Sequence, residues 1–156
     1  VVGTSEKTQG VQDYIDYFKI RTSSKITFIL SGDKHVEAMI NVQLFDWIIE
    51  NLLKNAVNAI DTEGTITVSL LENIAKEEIF IDISDTGKGI PRYNFDKIFQ
   101  PGFTTRKRGW GLGLSLTRRM VRYHKGIIYV KESEIGKGST FRIILKSNLK
   151  YEPTQA

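Results

Sequence analysis

"EEIFIDISDTGKGIP", Glu77 to Pro91, is the stretch on which the fold turns. Its first half is an apolar, β-branched run, the pattern of a strand placed centrally in a sheet. Its second half breaks that pattern with a carboxylate, Asp85, followed by Gly87 and Gly89 with Lys88 between them. A charge at the end of a buried strand is costly unless donors satisfy it. The glycines permit positive φ and a close approach of the backbone to a flat ligand. A tight turn would explain the same residues, and the stretch alone does not choose.

Upstream of it, "NVQLFDWIIENLLKNAVNAID" (Asn41 to Asp61) spaces Leu44, Trp47, Ile48, Leu52, Ala56 and Ala59 at helical intervals, which predicts a long helix packed on a sheet. Asn51, Asn55 and Asn58 lie at i, i+4 and i+7, one narrow stripe beside that apolar face. Asparagine is a mediocre helix former. Either the stripe is a solvated edge, or its amide oxygens line a cleft and hold a hard cation such as Mg²⁺. Further strands are expected in "KITFIL", "HVEAMI", "GTITVSLLEN", "IIYVKES" and "GSTFRIILK", and further helices from about Gly10 to Arg21 and over "LSLTRRMVRYHKG", with Gly126 as the stop. The expected architecture is a two-layer α/β sandwich, its mixed, mostly antiparallel sheet of about five or six strands covered on one face by three helices.

Between strand and last helix, Thr86 to Gly113 is rich in Gly, Pro, Thr and basic residues, and a loop of that length in a small domain is usually functional or mobile. It ends in "GWGLGL" (Gly109 to Leu114), alternate glycines directly before a helix start, suited to cradling phosphate.

At 156 residues and 40% hydrophobic content the chain suits a single domain, 1–150, with 151–156 as a tail. It has no cysteine, which excludes a disulfide framework, a thiolate zinc site and a thiol nucleophile. A net charge of +4 suits a polyanion, whether nucleotide phosphate, an acidic protein partner or nucleic acid, and is too mild to choose among them. No apolar run approaches the ~20 residues of a membrane span, and "VVGTSEKTQG" lacks the features of a leader. The expectation is a soluble, cytoplasmic chain without membrane contact of its own, compatible with being the cytoplasmic part of a membrane-anchored parent.

Other motifs fail. Lys88 and Lys137 are each followed by glycine, so neither "GKG" is a Walker A loop. "GWGLGL" does not follow a strand and is not the dinucleotide fingerprint. His35 and His124 lack metal-ligand or triad spacing and read as surface or structural. The basic residues Arg106 to Arg108, Arg118, Arg119 and Arg122 come without an aromatic-interleaved groove, so no nucleic acid is expected as partner.

Taken in order, "NLLKNAVNAID", "DTGKGI", "FDKIFQPGFTTR", "GWGLGL" and "GKGSTF" resemble the N, G1, F, G2 and G3 boxes of the ATP-binding catalytic domain of sensor histidine kinases, the Bergerat or GHKL fold shared with gyrase and MutL. The resemblance covers about Val11 to Lys146. It implies ATP and Mg²⁺ as cofactors, with Asn55 on the metal and Asn51 lining the same site. Asp85 would accept a hydrogen bond from the adenine amino group, supported by Thr140 through water. Gly87, Gly89 and Ile90 would shape the adenine pocket, and Gly109, Gly111, Leu112, Gly113 and Leu114 would wrap the triphosphate. Phe99, Phe103, Thr104 and Thr105 would belong to a lid spanning about 91–113.

Two departures from the family pattern matter. A basic residue often found three positions after the metal-binding asparagine is here Asn58, which leaves Arg106 or Lys107 as the phosphate-binding cation. Hydrolysing relatives place a glutamate where this chain has Asn51. Glu50 completes the catalytic candidates with Asn51 and Asn55 but lies about 100° around the helix, which favours transfer over hydrolysis. The implied activity is donation of the ATP γ-phosphate to a histidine on a separate dimerisation and phosphoacceptor domain, with a response regulator downstream. A serine kinase of the same fold and a non-catalytic nucleotide-binding module are the alternatives.

Overall fold

The computed structural model describes residues 12–13, 15–16, 25–33, 36, 38–103 and 113–147. Among them run β1 (Lys25–Gly32), α1 (Val42–Ala59), β2 (Glu63–Asn73), β3 (Glu78–Asp85), α2 (Gly113–Tyr123), β4 (Ile127–Glu134) and β5 (Gly138–Lys146). Gln12, Asp13, Ile15 and Asp16 are also helical, and Ile15 is buried in the core. The strands form one sheet in the order β1-β2-β3-β5-β4. Only β1 and β2 pair in parallel, and the other neighbours are antiparallel. A parallel pair needs a crossover, which α1 supplies. The α/β architecture is the expected one, with five strands.

The described residues of "HVEAMI" form no ladder. Among its described residues Ala38 makes an isolated bridge, while Val36 and Ala38 are both buried. Their alternation marks burial against the core, which does not require pairing.

Helix α1 starts at Asn41, whose Oδ1 accepts the Leu44 N–H at 3.1 Å. It buries Phe45, Ile48, Ile49, Leu52, Leu53 and Ala56. Each large side chain contributes about 1.5–3 kcal/mol on burial, against about 1 kcal/mol for the cap, so packing decides where the helix sits. The stripe is rotated from the expected one: Trp47 is 61% exposed and Leu44 and Ala59 are half-buried. Two apolar sets overlap along this helix, and the one with more branched volume takes the core.

At its other end α2 stops in a Schellman turn. The Gly126 N–H reaches the Val121 carbonyl at 3.1 Å and the Lys125 N–H the Arg122 carbonyl at 2.9 Å. The left-handed residue is Lys125, at φ 56°, and not the expected Gly126. Gly126 serves packing, since a Cβ there would sit 2.7 Å from the Ile144 carbonyl oxygen.

Strand period fixes what each sheet face carries. Ile79, Ile81, Ile83 and Asp85 of β3, with Ser139, Phe141, Ile143 and Leu145 of β5, are all buried on the face toward the core. On the opposite face Asp82 takes a bidentate hydrogen bond from Arg142, at 2.7 Å from both Nε and Nη2. Next to it on that face, the Ser84 and Thr140 hydroxyls meet at 2.8 Å.

Candidate nucleotide-binding site

Asp85 is the last residue of β3, and the alternation that buries Ile81 and Ile83 turns its carboxylate to the same face, 7% exposed. Its Oδ1 accepts the Gly87 N–H at 2.9 Å. Burial pushes its carboxyl above the ordinary carboxylate range, opposed by hydrogen bonds from the Gly87 and Ser139 backbone N–H groups. A carboxylate has about four lone-pair sites. These two N–H bonds leave acceptor capacity for a further donor.

The loop after Asp85 is fastened on both sides. The Thr86 hydroxyl accepts the Thr65 N–H at 2.9 Å. The Lys88 N–H reaches the Ala59 carbonyl, at the end of α1, at 2.9 Å, and the Gly136 N–H reaches the Lys88 carbonyl at 2.9 Å. The glycines serve this threading. A Cβ on Gly87 would collide with the Ala59 carbonyl, and one on Gly89, whose φ is 77°, with the Glu134 carbonyl. The clearance expected for a base is therefore taken up by the chain itself, and the glycines let the loop pass between α1 and the β4–β5 turn.

Along α1, Asn51 and Asn55 are half-buried and Asn58 is exposed. Asn51 Nδ2 donates to Thr117 Oγ1 at 3.4 Å, and Thr117, fully buried, donates to the Gly113 carbonyl at 2.7 Å. From Asn51 to Ala59 is eight residues, about 12 Å of helix. One side of α1 thus runs from a contact with α2, past Asn55, to the glycine loop. Glu50 faces away from it and pairs with Lys54 at 3.0 Å on the solvent side. This geometry removes Glu50 from the catalytic candidates.

Two further expectations change. Thr140 pairs in register with Ser84 and bonds its hydroxyl on the opposite face, so the strand neighbour of Asp85 is Ser139. The alternation through Phe141, Ile143 and Leu145 carried that signal in the sequence. Phe99 is 3% exposed, with its ring centroid 6.1 Å from that of Phe141 and the Arg118 guanidinium 5.5 Å from its own. A ring so enclosed anchors its own segment to the core and offers a ligand little surface, so Phe99 is not free to move as part of a lid. Ile90 and Leu114 are half-buried against the core, and Gly113 opens α2 with free space where a Cβ would be. Thr104, Thr105, Arg106, Lys107, Gly109, Gly111 and Leu112 lie outside the described residues.

His124 has a structural part. It is buried, accepts the Asn41 N–H on Nε2 at 2.9 Å and faces the Met120 carbonyl with Nδ1 at 2.7 Å. Both bonds are satisfied by the neutral Nδ1–H tautomer, which ties the start of α1 to the end of α2.

Residues 41–149 match the model of the histidine kinase-, DNA gyrase B-, and HSP90-like ATPases. The chain belongs to this ATPase family. The adaptive-response sensory kinase SasA of Gloeothece citriformis is 43% identical over 107 residues, 66% of this chain and 27% of that protein. The sensor histidine kinase ZraS of Escherichia coli is 42% identical over 102 residues, 65% of this chain and 21% of that protein. The catalytic domain of the histidine kinase ThkA superposes with a TM-score of 0.79 at 25% identity, covering 90% of this chain and 93% of that one. The mycobacterial sensor histidine kinase MprB gives 0.81 at 22% identity over 96% and 97%, a likeness of fold. This ATPase-family chain is thus similar to the catalytic domains of sensor histidine kinases and spans about a quarter of the length of the curated relatives it matches. Among its described residues no helix is long and apolar enough to cross a membrane.

Proposed function

We propose that this chain binds ATP and Mg²⁺ and serves as the catalytic domain of a sensor histidine kinase, passing the γ-phosphoryl group to a histidine on another domain of its parent. The observation that carries this reading is Asp85, a buried acceptor held by two backbone N–H groups with lone pairs to spare. Such an acceptor suits the amino group of adenine. Asn55 fits the metal: it offers an amide oxygen on the side of α1 between Asn51 and the glycine loop, and Mg²⁺ takes few protein ligands, keeping waters and phosphate oxygens. Bound there, the ion would neutralise phosphate charge during transfer.

The residues of the chain do the positioning. Asp85 fixes the base, the Thr117 hydroxyl holds the Asn51 amide beside Asn55, and α2 starts at Gly113, the last glycine of the G2 box, so its first N–H groups are available to phosphate. Arg106 or Lys107 would add a cation on the γ-phosphate. The acceptor histidine is assigned to another domain, as the family resemblance implies, and His124, buried with both ring nitrogens engaged, is unsuited to the part. A cytoplasmic parent or parent segment and a response regulator complete the proposal.

Titration with ATP, with and without Mg²⁺, tests the binding half: Mg²⁺-strengthened binding is expected, and no binding of ATP would overturn it. Incubation with labelled ATP tests the transfer half. The chain alone is expected to stay unlabelled, and acid-labile label is expected on the acceptor domain when that domain is added. Stable histidine labelling of this chain, or acid-stable label on the acceptor, would overturn it.

A further inference from the structure

Ser133 has no part in the site as described, yet its hydroxyl joins three segments that shape it. Ser133 Oγ accepts the Ile90 N–H at 2.7 Å, donates to the Gly138 carbonyl at 3.1 Å and meets Ser139 Oγ at 2.8 Å. Ile90 closes the glycine loop, Gly138 opens β5, and Ser139 is the residue whose N–H reaches the Asp85 carboxylate. A hydroxyl has one proton to give. With that proton on the Gly138 carbonyl, the bond to Ser139 requires Ser139 to be the donor. The Ser139 proton is then directed at Ser133 and away from Asp85.

We infer that Ser133 is a positioning residue for base recognition: by accepting the Ser139 proton and the Ile90 N–H together, it keeps the Asp85 carboxylate open to an amino group and fixes the loop that borders it. The inference rests on the nucleotide reading above. Without the Ser133 hydroxyl the Ile90 N–H loses its acceptor and the Ser139 hydroxyl is free to rotate. The carboxylate that already accepts the N–H of Ser139 is a ready alternative for it. Such a bond would occupy a lone pair that the adenine amino group needs, whereas a purine without that amino group would lose nothing by it.

The contact could instead only close the β4–β5 turn. The two roles separate through selectivity, because a loosened turn weakens every nucleotide alike. The test compares the Kd of ATP with that of purine riboside 5′-triphosphate, which lacks the 6-amino group, for the 156-residue chain and for Ser133→Ala, Ser133→Cys and Ser133→Thr. The wild-type chain is expected to prefer ATP. Ser133→Ala and Ser133→Cys are expected to weaken ATP by about tenfold and the deamino analogue by less than threefold, and Ser133→Thr to restore the preference. Ser133→Cys keeps the volume of the side chain and stands in should the alanine variant not fold. An unchanged ATP-to-analogue ratio in both variants would overturn the inference while leaving the nucleotide reading intact. Failure of the wild-type chain to bind ATP would remove both.

Discussion

Asp85→Asn separates what the carboxylate does for binding from what it does for folding. The substitution is isosteric, so Oδ1 keeps the Gly87 N–H it now accepts at 2.9 Å. The amide NH₂ presents donors where the carboxylate presented only acceptors, and so repels the adenine amino group. Losing a hydrogen bond to a charged acceptor costs about 1.5–3 kcal/mol, and at about 1.4 kcal/mol per tenfold the ATP Kd should rise by roughly 10- to 150-fold. Stability should move the other way. Burial raises the Asp85 carboxyl in the folded state, so its contribution to stability is fully present below the ordinary carboxylate pKa. That contribution is lost as pH rises through the raised folded value. At neutral pH the ionised side chain is therefore a cost to the unliganded fold, and Asp85→Asn should leave Tm equal or higher. ATP affinity in the wild-type chain should weaken as pH falls through that same raised value, because the acceptor is then protonated. Calorimetric titration and thermal melts of both proteins from pH 4 to 8 read all three effects. An ATP Kd within twofold of wild type, in a variant that melts at or above the wild-type temperature, would refute the assignment of Asp85 to the base.

Other substitutions probe the frame around it. Thr117→Val removes the hydroxyl beneath Asn51 while keeping volume, and should weaken Mg²⁺-dependent ATP binding severalfold with little change for Mg²⁺-free nucleotide, measured by titration with and without the metal. His124→Phe leaves the Asn41 N–H without its acceptor at the junction of α1 and α2, and should cost about 1–3 kcal/mol in denaturant unfolding, with ATP affinity of the folded fraction unchanged. Arg142→Met strands Asp82 on the far sheet face with only Lys131 at 3.8 Å, and should cost about 3–5 kcal/mol, whereas the double variant Asp82→Leu/Arg142→Met should recover most of it.

Period and punctuation made most of the fold legible. The unbroken apolar run of Ile79 to Ile83 marked a central strand, and the 3.6-residue spacing marked α1, because both patterns follow directly from which side chains leave water. The phase of α1 was less clear, since Leu44 and Trp47 fit the period as well as Phe45 and Ile49 do, and only packing against β3 separates them. The candidate site was read from boxes in order, and Asp85 turns inward as the alternation requires. What sequence could not carry were contacts between distant segments: Gly87 against Ala59, Asn51 on Thr117, Ser133 on Ile90. Those depend on which loop lies over which helix, and no local spacing records it. Thr140 was different, because the period of β5 already placed it on the wrong face for its expected part.

The ion pair of Asp82 and Arg142 has a consequence for how this stretch can change over generations. It lies three residues before Asp85 on the same strand, on the other face. A slip of one residue would turn Asp85 away from the core and bring Asp82 toward it, and the clamp on Arg142 opposes the slip from the face away from the core. The strand is thus keyed like a lock with its ward on the outside. An insertion is absorbed most easily in the β2–β3 turn before the strand, because between Asp82 and Asp85 one added residue would exchange the two faces, and the loop after Asp85 is pinned to α1 and to the β4–β5 turn.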